Sequence, residues 1–143
     1  MPKLYFEVDG DEPCPIDFGG PSDVLVYFLS FVFSTRYGSQ HDLSKLALML
    51  RAERKIDMAP LSKFADRNIE VDADAKELER AWQDAAPLAK TLREINEAID
   101  SGDERITALV VDPPDLRVRL VDLQRMAEWA AEHGRRVRMT YDL

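Results

Sequence analysis

The chain has 143 residues, 27 of them acidic and 19 basic for a formal charge of −8, with 45% hydrophobic residues, two histidines and one cysteine. A chain of this length is expected to fold as one domain, residues 1–143, and to hide about 70% of its unfolded surface, so no staple is needed to hold it. A lone Cys14 excludes an internal disulfide and a cysteine-built zinc cluster, and it fits a reducing cytoplasm.

The opening MPKLYFEVDGDEPCP lacks the apolar run and cleavage site of a signal peptide. Leu4, Phe6 and Val8 alternate with Tyr5 and Glu7, the period of a strand with one buried face. A turn follows, and Pro13 and Pro15 confine anything between Ile16 and Gly20 to a sheet edge. Residues 24–37 carry valines and aromatics that favour a strand. The less apolar positions Asp23, Tyr27, Ser30, Ser34 and Tyr37 nevertheless share one helical stripe, which predicts a mostly buried helix bounded by Ser22 and Gly38. Its apolar run, Val24 to Leu29, is far shorter than the ~20 residues a bilayer requires, so no membrane partner is expected.

Leu43, Leu46, Ala47 and Leu50 predict an amphipathic helix capped by Asp42, with Arg51, Arg54 and Lys55 suiting its C-terminal dipole. A short helix with Leu61, Phe64 and Ala65 is expected from Pro60 to Asn68. Val71, Ala75, Leu78, Trp82, Ala85, Ala89, Leu92, Asn96 and Ile99 form a heptad seam over 71–99, which Pro87 either kinks or divides into two helices. The helix at 24–37 is its expected partner, and Asn96 at an a-type position also offers a homodimer interface through the seam.

Beyond Ser101 the pattern changes. Ile106–Val111 and Leu116, Val118, Leu120 read as a 106–120 hairpin around Asp112-Pro113-Pro114-Asp115. Asp122 then caps a helix ending at Gly134, with His133 in its last turn, and Val137, Met139 and Tyr141 mark a final strand. The expected class is α+β. A single small sheet, antiparallel or mixed, joins the N-terminal strand, the 106–120 hairpin and the C-terminal strand, with a helical middle (about 22–101) on one face.

Charge is distributed unevenly. Residues 1–20 carry −4, 21–69 carry +2, 70–104 carry −7 and 105–143 carry +1. The outward positions Glu70, Asp74, Glu77, Glu94, Glu97 and Asp100 are where the strongest negative field is expected. A second candidate is the 34–42 loop, where Arg36, Tyr37, His41 and Asp42 gather polar chemistry without a nucleophile-elbow motif. A third is a basic patch of Arg117, Arg119, Arg136 and Arg138, which strand alternation would place on the outer sheet face within reach of Glu7 and Asp9.

Asp9, Asp11 and Glu12 lack the rest of a calcium loop, and the two histidines, His41 and His133, have no neighbour spaced as a co-ligand. Gly19-Gly20 ahead of Pro21-Ser22 resembles the start of an anion-binding turn but has too few glycines for a phosphate loop. With no catalytic, metal or cofactor motif, the sequence leans away from an enzyme. It points to a small bacterial-type interaction module of the inhibitor, immunity or regulatory-adaptor sort that meets a basic protein through its 70–104 surface. The alternatives are a small enzyme or small-molecule binder using the 34–42 loop, and an anion or nucleic-acid site on the arginine face, the latter opposed by the charge of −8.

Overall fold

The computed structural model describes residues 2–32, 42–110 and 115–142. Strand β1 spans Lys3–Val8, followed by helices α1 (Asp23–Phe31) and α2 (Asp42–Leu48), the latter continued by a π-helical turn at Met49–Glu53. A 3₁₀ turn at Ala59–Ser62 leads to β2 (Phe64–Asp66), α3 (Asp72–Arg80), β3 (Gln83–Asp84) and α4 (Ala85–Ile99). Helices α5 (Glu104–Val110) and α6 (Leu116–Glu132) precede β4 (Arg136–Asp142). The class is α+β, with helices packed on a four-stranded mixed sheet.

Strand β4 is the hub. Along one side it pairs antiparallel with β1, from Lys3↔Asp142 to Val8↔Val137. It also pairs in parallel with β2 (Phe64↔Met139) and antiparallel with β3 (Gln83↔Val137). Alternation sends Leu4, Val137 and Met139 into the core and sets Tyr5, Glu7, Arg138 and Thr140 on the opposite face. The core joins Leu25 and Phe28 of α1, Leu46 of α2, Leu88, Leu92 and Ile95 of α4, Ile106 of α5 and Leu116, Leu120 and Leu123 of α6.

The described part of the 24–37 segment is helical, and its stripe behaves as expected: Tyr27 and Ser30 face solvent while Val24, Leu25, Phe28 and Leu29 are buried. Gly38 and the rest of the stripe, Ser34 and Tyr37, lie outside the described residues. Ser22 does not cap α1 through its side chain. Its hydroxyl instead accepts the Leu4 N–H at 2.9 Å and donates to the Leu4 carbonyl at 3.2 Å, tying the start of α1 to β1.

Pro87 falls in the first turn of α4, and the 71–99 seam is two helices, α3 and α4, separated by β3. The partner of the α4 half is α6 rather than α1. Ala85, Ala89, Leu92 and Ile99 are buried, and Asn96 Nδ2 donates to the Leu120 carbonyl at 3.2 Å and to Gln124 Oε1 at 2.7 Å. The chain's own α6 therefore covers the surface that the seam would present to a second copy, leaving only the α3 end, Val71 and Ala75, exposed.

The 106–120 hairpin is corrected to two helices, and the helical middle to one interrupted by the short strands β2 and β3. Leu116, Leu120, Leu123, Ala127 and Ala130 recur at helical spacing and are all buried, whereas Val118, the expected inward strand residue, is 51% exposed. That stripe is longer than any strand in the fold and extends through Asp122, so Asp122 sits inside α6 rather than capping it. Asp103 opens α5 instead, its Oδ1 accepting the Arg105 N–H at 3.0 Å and its carbonyl the Thr107 N–H at 3.0 Å. Helix α6 closes on Gly134 at φ +64°, where the Gly134 and Arg135 N–H groups donate to the Ala131 and Ala130 carbonyls. The expected 60–68 helix shortens to the 3₁₀ turn, and Phe64 passes into β2 with its ring 5.4 Å from that of Tyr141.

Candidate functional site

The acidic segment divides between α3 and α4, and internal contacts use part of its charge. Asp74 accepts the Glu70 and Val71 N–H groups at 2.9 and 3.1 Å, satisfying the start of α3. Glu77 pairs with Arg80 at 3.1 Å, Glu94 with Lys90 at 4.0 Å and Asp100 with Arg117 of α6. Exposed Glu70 and Glu97 form no ion pair among the described residues, and neither do Asp72, Glu79 and Asp84, which share this surface. Glu94 and Glu97, one turn apart, flank an open depression of about 310 Å³ with Arg54, Ile56 and Ala98. The Arg54 guanidinium is turned toward Ser101 at 3.0 Å and Asp103 at 3.2 Å. Hydrogen bonds from Arg105, aided by Arg54, hold the Asp103 carboxyl down to about 2.

The four arginines do not form one patch, because half of them belong to a helix. Arg117 and Arg119 lie on α6, and only Arg136 and Arg138 lie on β4. Arg119 is buried, with Nη1 2.6 Å from Asp122, and the Gly19 N–H donates to the same carboxylate at 2.9 Å. The Gly19-Gly20 turn thus meets an anion supplied by the chain itself. Its lack of side chains has a use here, since a Cβ on Gly20 would lie 2.9 Å from Arg119 Nη2.

On β4, Glu7 of β1 and Asp9 just beyond it neutralise the arginines. Arg136 reaches Asp9 at 3.4 Å, and Arg138 bonds both oxygens of Glu7 at 3.2 and 3.0 Å. Thr140 Oγ1 donates to Glu7 at 3.0 Å, and Arg138 Nη1 to the Leu78 carbonyl at 3.3 Å. Burial opposes the charged form of Glu7, but these hydrogen bonds and the Arg138 charge outweigh it and hold the carboxyl below its ordinary range. The guanidinium of Arg138 lies 4.6 Å from the Trp82 ring centre, and Arg67 lies 3.7 Å from that of Tyr5. Trp82, expected in the helical seam, instead belongs to this outer sheet face. No local pattern marked it, since its partners are more than fifty residues away.

Of the 34–42 candidates, Arg36, Tyr37 and His41 lie outside the described residues, and Asp42 is exposed at the start of α2. His133 closes α6 with Nδ1 2.7 Å from the Trp129 carbonyl and its ring stacked on Trp129 at 4.3 Å. Among the described residues no group of three His, Cys, Asp or Glu is placed to hold a metal, and no helix is long and apolar enough to cross a membrane. Two depressions of about 510 Å³ each are open and lie at Pro2–Lys3 against 17–23 and at 55–60 against the first turns of α4. Their hydroxyls are engaged by backbone, Ser22 Oγ donating to the Leu4 carbonyl and Thr91 Oγ1 to the Asp57 carbonyl. Comparison with family models, curated proteins and solved structures finds no match to this chain.

Proposed function

We propose that this protein is a small interaction module of the inhibitor, immunity or regulatory-adaptor type that binds a basic protein through the acidic surface of α3 and α4. The observation that carries this proposal is the charge of −7 over residues 70–104, much of it still exposed and unpaired after the internal ion pairs are counted. Complementary charge speeds encounter and rejects wrong partners. The arginine-face alternative has less support, because Asp100, Asp122, Asp9 and Glu7 already neutralise Arg117, Arg119, Arg136 and Arg138. The single Cys14 supports a reducing compartment, and the cytoplasm is the one we propose.

Glu70→Lys with Glu97→Lys tests the proposal without breaking an ion pair among the described residues. Purified wild type immobilised against native-host extract should retain a basic protein at low salt and release it as salt rises. The double variant should retain little of that protein while melting within a few degrees of wild type, since exposed substitutions usually change stability by no more than about 0.5 kcal/mol. Retention indifferent to both salt and charge reversal refutes the acidic surface as the site.

A further inference from the structure

The outer edge of β1 carries backbone groups that the chain leaves unused. Asp9 N–H donates to the Arg136 carbonyl at 2.9 Å, which phases the odd-numbered residues Lys3, Tyr5 and Glu7 to bond β4 and turns the even-numbered ones outward. Leu4 shows this directly, since its N–H and carbonyl are both met by the Ser22 hydroxyl on that edge. The next two outward positions, Phe6 and Val8, have no hydrogen-bond partner for N–H or carbonyl among the described residues beyond the strand pairing, which they do not use. Buried backbone groups are almost always paired, so these four groups face water or a partner. Edge strands are commonly blunted by charge, proline or a covering segment. Here Ser22 blunts one rung and leaves two open.

We propose that β1 accepts an extended, basic segment of a partner as an additional strand, bonded at Phe6 and Val8. The charge of the segment that carries the open rungs selects this occupant. Residues 1–20 carry −4, and Asp11, Glu12 and Asp17 are exposed without an ion pair among the described residues. A second copy fits poorly. Two-fold antiparallel pairing through Phe6 and Val8 brings together two 1–20 segments of −4 each, and like charges so placed oppose association. A strand carrying lysine or arginine instead answers Asp11, Glu12 and Asp17, since Glu7 and Asp9 are already held by Arg138 and Arg136. Main-chain bonds then supply affinity and the alternate side chains supply selectivity. This edge is independent of the α3–α4 surface.

The probe is a capped peptide, Thr-Lys-Val-Lys-Val-Lys-Thr, titrated into isotope-labelled full-length protein. Amide hydrogen exchange at Phe6 and Val8 should slow on binding. N-methylation of the internal peptide amides should weaken binding by at least about fivefold for each rung removed. A glutamate-for-lysine peptide should not bind, and Val8→Pro, which removes one outward N–H without touching β4, should lose the peptide while folding normally. Should that variant misfold, the N-methylated peptide on wild type gives the same test. Glu70→Lys with Glu97→Lys should leave protection at Phe6 and Val8 unchanged, which separates this edge from the acidic helices. Three results overturn the proposal: no binding, binding without protection of these two amides, or protection that rises with protein concentration alone and so identifies a second copy.

Discussion

Replacing Glu7 by glutamine keeps the shape of the side chain and removes the charge that Arg138 faces. Glu7 accepts two bonds from Arg138 and one from Thr140 Oγ1, and the side chains of Glu7 and Arg138 are 31% and 18% exposed. Breaking a fully buried ion pair costs about 3–5 kcal/mol, whereas an exposed one contributes about 0–1 kcal/mol. Arg138 keeps the Leu78 carbonyl and the Trp82 ring after the substitution, so the expected loss for Glu7→Gln lies between these limits, at about 2 kcal/mol. Urea unfolding at neutral pH measures it, with an unchanged slope against denaturant showing that only stability has moved. The pH dependence is the sharper test. The folded state holds the Glu7 carboxyl below its ordinary value of 4.5, so its contribution is complete above that pH and is lost as pH falls through the lower folded value. Subtracting the glutamine variant from wild type cancels distant carboxylates, so the difference should be flat above about pH 5 and shrink below about pH 4. A penalty under about 0.5 kcal/mol at neutral pH, or one that persists undiminished in acid, refutes the assignment of this pair as a stabilising contact.

Asn96 is buried with its Oδ1 unpartnered, so Asn96→Leu should unfold within about 1 kcal/mol of wild type, while Asn96→Asp, which puts a charge between α4 and α6, should cost at least about 3 kcal/mol in the same urea assay. Gly10 has φ +108°, and a Cβ there would collide with Arg135 Nη1, a flexible side-chain end that can swing away. The backbone strain remains, so Gly10→Ala should cost about 1–3 kcal/mol by thermal unfolding, and adding Arg135→Ala should not recover it.

The α+β class, the N-terminal and C-terminal strands, the stripe of α1 and the Gly134 stop were legible because each is a local pattern of a few residues. The hairpin failed where two periods overlap: Leu116, Val118 and Leu120 alternate over five residues, but Leu116, Leu120, Leu123, Ala127 and Ala130 repeat over fifteen, and the longer stripe buries more apolar surface. That error placed Arg117 and Arg119 on the sheet. The choice of α6 over α1 as the partner of α4 was hidden for another reason, since both helices present apolar stripes and only the tertiary arrangement decides between them. Of the candidate acids, the exposure of Glu70, Glu77, Glu97 and Asp100 was predictable from the heptad, whereas the capping role of half-buried Asp74 and the cross-helix pairing of Asp100 with Arg117 depend on turn geometry and on α6 being a helix.

The position of β4 also sets the order in which the molecule can be assembled. The described strands β1, β2 and β3 are joined to one another only through β4, from Lys3 opposite Asp142 to Phe64 opposite Met139. During synthesis the first three strands therefore leave the ribosome without a neighbour, and β1 waits until 136–142 emerges. Its apolar side chains and open rungs stay available for wrong pairing throughout that interval. The helices have mostly nearer partners and can condense earlier, so closing the sheet, with its long loop entropy, is the slow step. Protection of the β1 amides should accordingly arise late in refolding, after the α4–α6 contact, and nascent chains halted before residue 136 should be bound by holdase chaperones more than chains released beyond 142.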